Sequence, residues 1–290
     1  GVIGAWAGPR SAGTAYVMAH HHIGDLGDGR VGAWGFPRGG MGAVTQAMAA
    51  AARSFGVEIR TESPVAEITT RSGAVTGVRL ASGEELRAPT VVTTAHPAIS
   101  FLRLVDRSAL PPEFVADIER WRSRSGVVKV NLAVDRLPEF TAKPGFDPDV
   151  HGGTIVLAES VDDLESGFQD AVAGRASARP FADIAIPSVF DDSLAPDGHH
   201  VVSMFTQWVP HEWSLAPHRA EVEAHADAVV ARVDALAPGF ADSVLHRQVI
   251  GRGGEQAVTC ATPATTSASA SRPAIAWRAT TLSTSCCPPY

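Results

Sequence analysis

A glycine pair that opens a predicted helix is the first stretch whose residue types and spacing indicate chemistry. Residues 34–44 read WGFPRGGMGAV and run into an alanine-rich segment. A glycine turn at a helix start presents unpaired N–H groups and the positive end of the helix dipole, which favours an anion. A dinucleotide-binding fingerprint requires a strand, then GxGxxG, then a helix. Because that strand and that spacing are missing, the turn taken alone predicts a helix start rather than a phosphate site.

Histidine, cysteine and nucleophile patterns do not support a metal site or a hydrolase. Histidines fill positions 20–22, but consecutive side chains point in different directions and rarely converge on one ion. Residues 24–29, GDLGDG, carry aspartates that would repel phosphate, so they predict a surface turn. Cys260, Cys286 and Cys287 lack CxxC spacing, and HExxH, GxSxG and SxxK do not occur. We expect no metal, and no catalytic acid or base can be named.

Two strand-like stretches in the second half carry side chains suited to a ligand cleft. In GVVKVNLAVD, Lys129 and Asn131 lie on the face opposite the alternating valines and leucine, which predicts either a pocket lining or a solvated sheet face. In SMFTQWVPHEW, Gln207 and Trp208 bring polar and aromatic groups together, as a ligand cleft or a packed core would. These four residues are the substrate-pocket candidates.

Composition narrows the class of protein. The 290 residues carry a net charge of -7 and are 45% hydrophobic. Without a basic patch, nucleic acid is not an expected partner. No apolar run approaches the roughly 20 residues that span a bilayer, so we expect no transmembrane segment and a cytoplasmic location.

The first half predicts one structural unit, residues 39–105. A helix is expected over 40–56, closed by a glycine, and a strand over 57–60. Short β-type runs separated by RSGA and SGE then predict a three-stranded meander. The β-branched run TVVTTAHP, residues 90–97, predicts a buried strand that ends at a ligand edge.

The second half predicts an α+β unit over residues 106–250, with an antiparallel sheet. Helices are expected over 160–173 and 217–236, between alternating strand patterns. Residues 1–38 are assigned as an entry segment of the same domain. Residues 251–290 are rich in Ser, Thr, Ala and Pro and poor in large apolar residues, which predicts a disordered or frame-shifted tail.

Read in order, these features resemble the FAD-dependent amine-oxidase and carotenoid-desaturase-like flavoproteins. The resemblance rests on the GG turn, the alanine-rich helix, the strand, the V-x-x-I and V-x-G-V-x-L meander, and the VV run with its proline. Flanking stretches such as VVKVNLAVDRLPEF and HHVVSMFTQWVP narrow it to the phytoene-dehydrogenase-related subgroup. The resemblance covers about residues 1–250. It implies an α/β plus α+β fold: an incomplete Rossmann-type FAD-binding domain with an antiparallel-sheet substrate domain.

The resemblance also implies a cofactor and its contacts. The family's adenine-contacting valine falls on Val65, its GG turn on residues 39–41, and the end of its VV strand on residues 93–95. The implied FAD-binding residues are Gly39, Gly40, Met41, Val65, Thr93, Thr94 and Ala95.

The implied activity is hydride transfer from a small or lipid-like organic substrate to flavin. The family's GxGxxG unit and its final flavin-contacting segment have no counterpart in these residues. One alternative is therefore a non-catalytic, truncated chain that does not bind FAD. Another is a carotenoid desaturase or isomerase, which shares the cofactor and differs in substrate.

Overall fold

The computed structural model describes residues 4–20, 35–214, 218–251 and 256–260. The chain divides into two compact units, one of residues 47–123 and a larger one of residues 1–46 with 124–290. The division therefore falls after Ser123, whereas the sequence places it near residue 105.

Two helices precede the first sheet. Helix α1 spans Thr14–His20 and helix α2 spans Met41–Ser54, as the alanine-rich segment predicts. Gly56 follows the end of this helix with φ of 81°. A helix often ends at a residue in the left-handed conformation, and glycine adopts that conformation without a steric penalty.

The smaller unit contains the predicted meander. Strands β1 (Val65–Arg71), β2 (Ala74–Leu80) and β3 (Glu85–Arg87) pair antiparallel in that order. Ser72 and Gly73 both have positive φ, as a type I′ hairpin turn requires. Helix α3 (Pro97–Ile99) continues into a π-helical turn (Ser100–Leu104), and helix α4 (Pro112–Arg120) follows.

Two strands predicted for this unit do not form. Residues 57–60 and 90–94 have no strand pairing, and Pro97 already begins α3. A strand needs a neighbour for its N–H and C=O groups. Within the described part of the smaller unit, the meander strands pair with one another, and their one further bridge joins Ile68 to Val105. The valine of the second predicted strand, Val92, is consequently 87% exposed.

The larger unit is built on an antiparallel sheet of six strands. They lie in the spatial order β5-β6-β7-β4-β8-β9. The strands are β4 (Val127–Val134), β5 (Ile155–Leu157), β6 (Phe181–Ala185), β7 (His200–Gln207), β8 (Val244–Ile250) and β9 (Gln256–Cys260). The antiparallel sheet predicted for this half is confirmed.

After Ser123 the described part of the larger unit has four α-helices: α5 (Pro148–His151), α6 (Val161–Val172), α7 (Arg219–Leu236) and α8 (Phe240–Ser243). Of these, α6 and α7 correspond to the two predicted over 160–173 and 217–236, whereas the sequence analysis does not predict the short α5 and α8. Helix α6 begins after Ser160, whose hydroxyl accepts the Asp163 N–H at 3.0 Å, an N-cap that the sequence Ser-x-x-Asp favours.

One face of the sheet forms the core. Val128, Val130, Leu132 and Val134 alternate along β4 and are all buried, and they pack in one cluster with residues of α7 such as Val229. The intervening residues of β4 are half-buried. The alternation thus separates a core face from a second face, as period-2 side-chain geometry requires.

A histidine lies inside this core. His225 of α7 is 3% exposed, and its Nε2 lies 2.9 Å from Thr206 Oγ1. Thr206 donates its hydroxyl to the Val128 carbonyl at 2.7 Å, so it accepts the imidazole N–H. Burial lowers the pKa of His225 to about 4, and the ring is therefore neutral in the folded protein near pH 7.

The tail differs from its prediction at one place. Residues 256–260, which composition assigns to a disordered segment, form β9 and pair with β8. Main-chain hydrogen bonds to an open sheet edge need no large apolar side chains, so composition is a weak guide there. Residues 261–290, the histidines at 21 and 22, and GDLGDG lie outside the described residues.

No helix in the described ranges is long and apolar enough to cross a membrane. In the same ranges, no group of three or more His, Cys, Asp or Glu residues is arranged to hold a metal ion.

Candidate functional site

The second face of the six-stranded sheet collects polar side chains from four strands. We call it the open face; β4 contributes Val127, Lys129, Asn131 and Ala133 to it. Strand register places residues of the neighbouring strands beside them. The Lys129 row is Asp183, Phe205, Lys129 and Ile250; the Asn131 row is Ala185, Ser203, Asn131 and Gln248.

The Asn131 row is a hydrogen-bonded chain across three strands. The Ser203 hydroxyl donates to Asn131 Oδ1 at 3.3 Å, and Asn131 Nδ2 donates to Gln248 Oε1 at 3.1 Å. Because both ends of the Asn131 amide are used, its orientation is fixed, and the NH2 group of Gln248 remains as a donor at the end of the chain.

Lys129 lies one row away on the same face, between Phe205 and Ile250. Its side chain is half-buried, and the described residues provide no ion-pair or hydrogen-bond partner for its Nζ. Burial lowers the pKa of the Lys129 ammonium, and the Asp183 carboxylate in the same row partly opposes that shift. A partly desolvated amine whose pKa is lowered in this way makes this part of the sheet a candidate binding site.

Gln207 and Trp208 occupy a different environment from the other two candidates. Gln207 faces the open side by register but is fully buried, and its Oε1 accepts the Gly4 N–H at 3.2 Å. Trp208 packs edge-on against Phe168 with ring centroids 6.0 Å apart. The Gln207 Nε2 and Trp208 Nε1 atoms are buried without a partner among the described residues. The structure therefore places Lys129, Asn131 and Gln207 on one face and Trp208 in an aromatic cluster.

The GG turn is held by an aspartate. Gly39 and Gly40 have φ of 83° and 75°, and the Gly39 N–H donates to Asp191 Oδ2 at 2.5 Å. The Gly40 N–H donates to the Pro37 carbonyl at 2.9 Å. Hydrogen bonds from Ser193 and from the Gly39 N–H lower the pKa of the Asp191 carboxyl. The turn does bind an anion, and that anion is supplied by the protein itself.

The remaining predicted cofactor residues lie in the smaller unit. Val65 is the first residue of the edge strand β1. Thr93 Oγ1 accepts the Ala95 N–H at 3.2 Å and lies 3.0 Å from Ser100 Oγ. Thr94 is exposed. The seven residues are thus divided between the two compact units, with Gly39, Gly40 and Met41 in the larger one.

Sequence reasoning missed several polar residues for different reasons. Asp183 and Gln248 carry the same signal as Lys129, a polar side chain at alternate positions of an apolar strand, so the same argument would have found them. Asp191 lies 152 residues from Gly39, and no local pattern connects the two.

The family assignment follows from a match over most of the chain. Residues 4–249 match the family described as flavin containing amine oxidoreductase. The chain belongs to that family. Its resemblance to this superfamily, predicted from the ordered motifs, is confirmed.

Individual relatives agree with the family match. The chain is 41% identical over 259 residues to the rat (Rattus norvegicus) pyridine nucleotide-disulfide oxidoreductase domain-containing protein 2, covering 86% of this chain and 44% of the relative. It is 28% identical to the chloroplastic prolycopene isomerase of Daucus carota, covering 81% of this chain and 35% of the relative. A zeta-carotene-forming phytoene desaturase of Myxococcus xanthus is 29% identical over 63% of this chain and 32% of its own length.

A solved structure has a fold similar to that of this chain. An oxidoreductase from Methanosarcina mazei superposes with a TM-score of 0.51 at 21% identity, covering 76% of this chain and 44% of that one. The chain thus spans less than half the length of the curated relatives and of the solved structure that it matches.

The residues present fit an FAD pyrophosphate only in part. The N–H groups of Gly39, Gly40 and Ala95 are already hydrogen-bonded within the protein. A phosphate contact at Gly39 would therefore require release of the Asp191 carboxylate. The main-chain N–H groups of these three residues are therefore not free to donate to a phosphate.

Proposed function

We propose that the protein functions as part of an FAD-dependent oxidoreductase in which a small or lipid-like organic substrate gives a hydride to flavin. The family match over residues 4–249 carries this proposal. The flavin supplies the redox chemistry, and the protein's part is to bind and orient the substrate.

We assign the substrate to the open face. It presents a half-buried amine, Lys129, beside a hydrogen-bonded polar row and the apolar side chains of Phe205 and Ile250. Sites for organic molecules combine apolar walls with a few placed polar groups in this way. Asn131 and Gln207 belong to the same proposal through their positions on that face.

The cofactor contacts remain those implied by the family. Val65 would reach the adenine edge through its main chain, and Thr93, Thr94 and Ala95 would lie near the cofactor. Gly39 would contribute its N–H only if the Asp191 carboxylate left the turn, and Gly40 only if its N–H left the Pro37 carbonyl. Met41 follows them as the third residue of the turn that the family implies.

A second candidate function is a chain that binds no FAD and is not catalytic by itself. The engaged N–H groups at Gly39, Gly40 and Ala95 favour this candidate. A carotenoid desaturase or isomerase is supported by the similarity to prolycopene isomerase and phytoene desaturase. The charged and amide groups of the open face argue against a pure hydrocarbon substrate, because such a molecule would desolvate them without giving a partner.

Flavin retention separates the FAD-dependent candidates from the candidate that binds no FAD. The full chain is incubated with excess FAD, freed of unbound flavin by gel filtration, and examined for the visible absorption of the flavin. Stoichiometric retention supports the oxidoreductase, and loss of all flavin supports the non-catalytic candidate.

A pair of charge variants locates the cofactor. Thr94→Glu places a carboxylate at a residue proposed to lie near the anionic cofactor, and Thr61→Glu places one at another exposed threonine of the smaller unit. We expect Thr94→Glu to weaken FAD binding by about tenfold or more and Thr61→Glu to leave it unchanged. Equal effects of the two variants would remove residues 93–95 from the proposed site.

A further inference from the structure

The chain has two lysines, and the structure gives them opposite environments. Lys143 is exposed, and its Nζ lies 2.5 Å from Asp147 Oδ2. Lys129 is half-buried on the open face and has no ion-pair partner among the described residues. Partial burial without a counter-ion penalises the ammonium form of Lys129, because desolvation disfavours the charged state.

The other titratable groups of the open face offset the burial of the Lys129 ammonium only in part. Asp183 shares its row but lies beyond Phe205, so two strand spacings, about 10 Å, separate their main chains. His246 is opposite Ala133, near the end of β4 that lies away from Lys129. The environment of Lys129 therefore favours an additional negative charge close to its Nζ.

The neighbouring groups define the chemistry of that charge. Gln248 has given its Oε1 to Asn131, which leaves its NH2 group as a donor one row and one strand away from Lys129. A carboxylate has two acceptor oxygens and can bind both an ammonium and an amide N–H. Phe205 and Ile250, on either side of Lys129, offer apolar surface for a hydrocarbon skeleton.

We propose that the open face binds an organic acid, with its carboxylate at Lys129 Nζ and its apolar skeleton against Phe205 and Ile250. Gln248 is the second donor to the carboxylate. The inference rests on the proposed function because it takes this ligand to be the substrate. It narrows the class of substrate from small or lipid-like organic molecules to amphipathic acids.

A matched pair of probes tests the charge requirement. cis-Parinaric acid and its methyl ester share one fluorescent polyene chain and differ in the carboxylate. Each is titrated into the full chain, and binding is followed by the increase in probe fluorescence. We expect the acid to bind at least about tenfold more tightly than the ester, a difference of about 1.4 kcal/mol.

Lysine variants then assign the effect to one residue. Lys129→Met removes the charge while keeping an unbranched apolar chain, and it should reduce the affinity for the acid to that for the ester. Lys129→Arg should preserve the preference for the acid, and Lys143→Met is the matched control that should leave both affinities unchanged. Equal binding of acid and ester to the unaltered chain, binding of neither probe, or an unchanged preference in Lys129→Met would overturn the inference.

Two further measurements keep the test independent of folding and of FAD. With ¹³C-labelled lysine, the acid should shift the Lys129 side-chain signal and not the Lys143 signal, which tests the contact even if Lys129→Met fails to fold. Flavin retention is measured on the same preparation. Acid binding without FAD retention would contradict the proposed function and support the inference. FAD retention without a preference for the acid would support the proposed function and contradict the inference.

Discussion

At the scale of single residues, the two lysines should titrate in separate pH ranges. Burial lowers the pKa of Lys129, whereas the hydrogen bond to Asp147 raises the pKa of Lys143. As pH rises, Lys129 should therefore lose its proton before Lys143. Titration of the ¹³Cε signals measures both, with Lys143→Met as the assignment control. Coincident titration curves would show that Lys129 is solvated, and the case for an anion site would weaken with it.

His225 should make stability depend on pH. Its pKa is about 4 in the folded protein against an ordinary value of 6.5, so between these values the unfolded state binds more protons. The free energy of unfolding should rise with pH across this window, and about 3 kcal/mol should be lost on acidification from pH 7 to below 4.

Urea unfolding at several pH values measures this dependence. His225→Gln removes the titrating group and should flatten the slope between pH 4 and 6.5. His218→Gln replaces a histidine near the start of the same helix that pairs with Glu221, and should leave the slope in place. An unchanged slope in His225→Gln would assign the acid sensitivity to other groups.

At the scale of elements, the segment that connects β6 to β7 holds the GG turn in place through Asp191. Asp191 is 4% exposed and accepts hydrogen bonds from Gly39, from the Ser193 N–H and from the Ser193 hydroxyl. Charge-assisted bonds of this kind are stronger than neutral ones. The turn and the start of α2 thus depend on a residue far away in sequence.

Asp191→Ala should loosen the GG turn and Asp192→Ala should not. Asp192 is the adjacent aspartate; its side chain is 86% exposed and pairs only with Arg38 in the described structure. We expect hydrogen exchange at the Gly39 amide to be at least about tenfold faster in Asp191→Ala than in the unaltered chain. Hydrogen exchange followed at that amide is the measurement, and equal protection in the two variants would contradict the role assigned to Asp191.

The elements that sequence predicts well are those with a complete local signal. The Ser72–Gly73 turn, the alternation of β4 and the N-cap at Ser160 each depend on residues within a few positions of one another. Residues 57–60 and 90–94 have β-branched composition, but a strand also needs a neighbour, and composition does not supply one. For the site, alternation predicts the face of Lys129 and Asn131, whereas the Asp191 contact depends on a long-range approach that no local pattern encodes.

At the scale of the whole molecule, the smaller unit exposes several large apolar side chains. Phe55 and Val92 are 86% and 87% exposed, Met48 is 67% exposed and Val57 is 51% exposed. Surface of this kind promotes association between molecules.

Val92→Glu should therefore reduce self-association at little expense in stability. An exposed substitution usually changes the free energy of unfolding by less than about 0.5 kcal/mol. Light scattering measures association and urea unfolding measures stability. Val128→Glu introduces the same carboxylate at a fully buried valine of β4 and should prevent folding. A marked loss of stability in Val92→Glu would mean that Val92 is packed in solution.

The alternation along β4 has a consequence for how the protein tolerates change. In this strand the even-numbered residues 128 to 134 are buried and the odd-numbered residues 127 to 133 lie on the open face. Substitutions at the even positions should therefore affect folding of the sheet, whereas substitutions at the odd positions should affect the binding proposed for the open face. The two properties can vary independently as long as the strand keeps its length. Deleting Val128 would shift every later residue of β4 by one position and turn the Lys129 amine and the Asn131 amide toward the core.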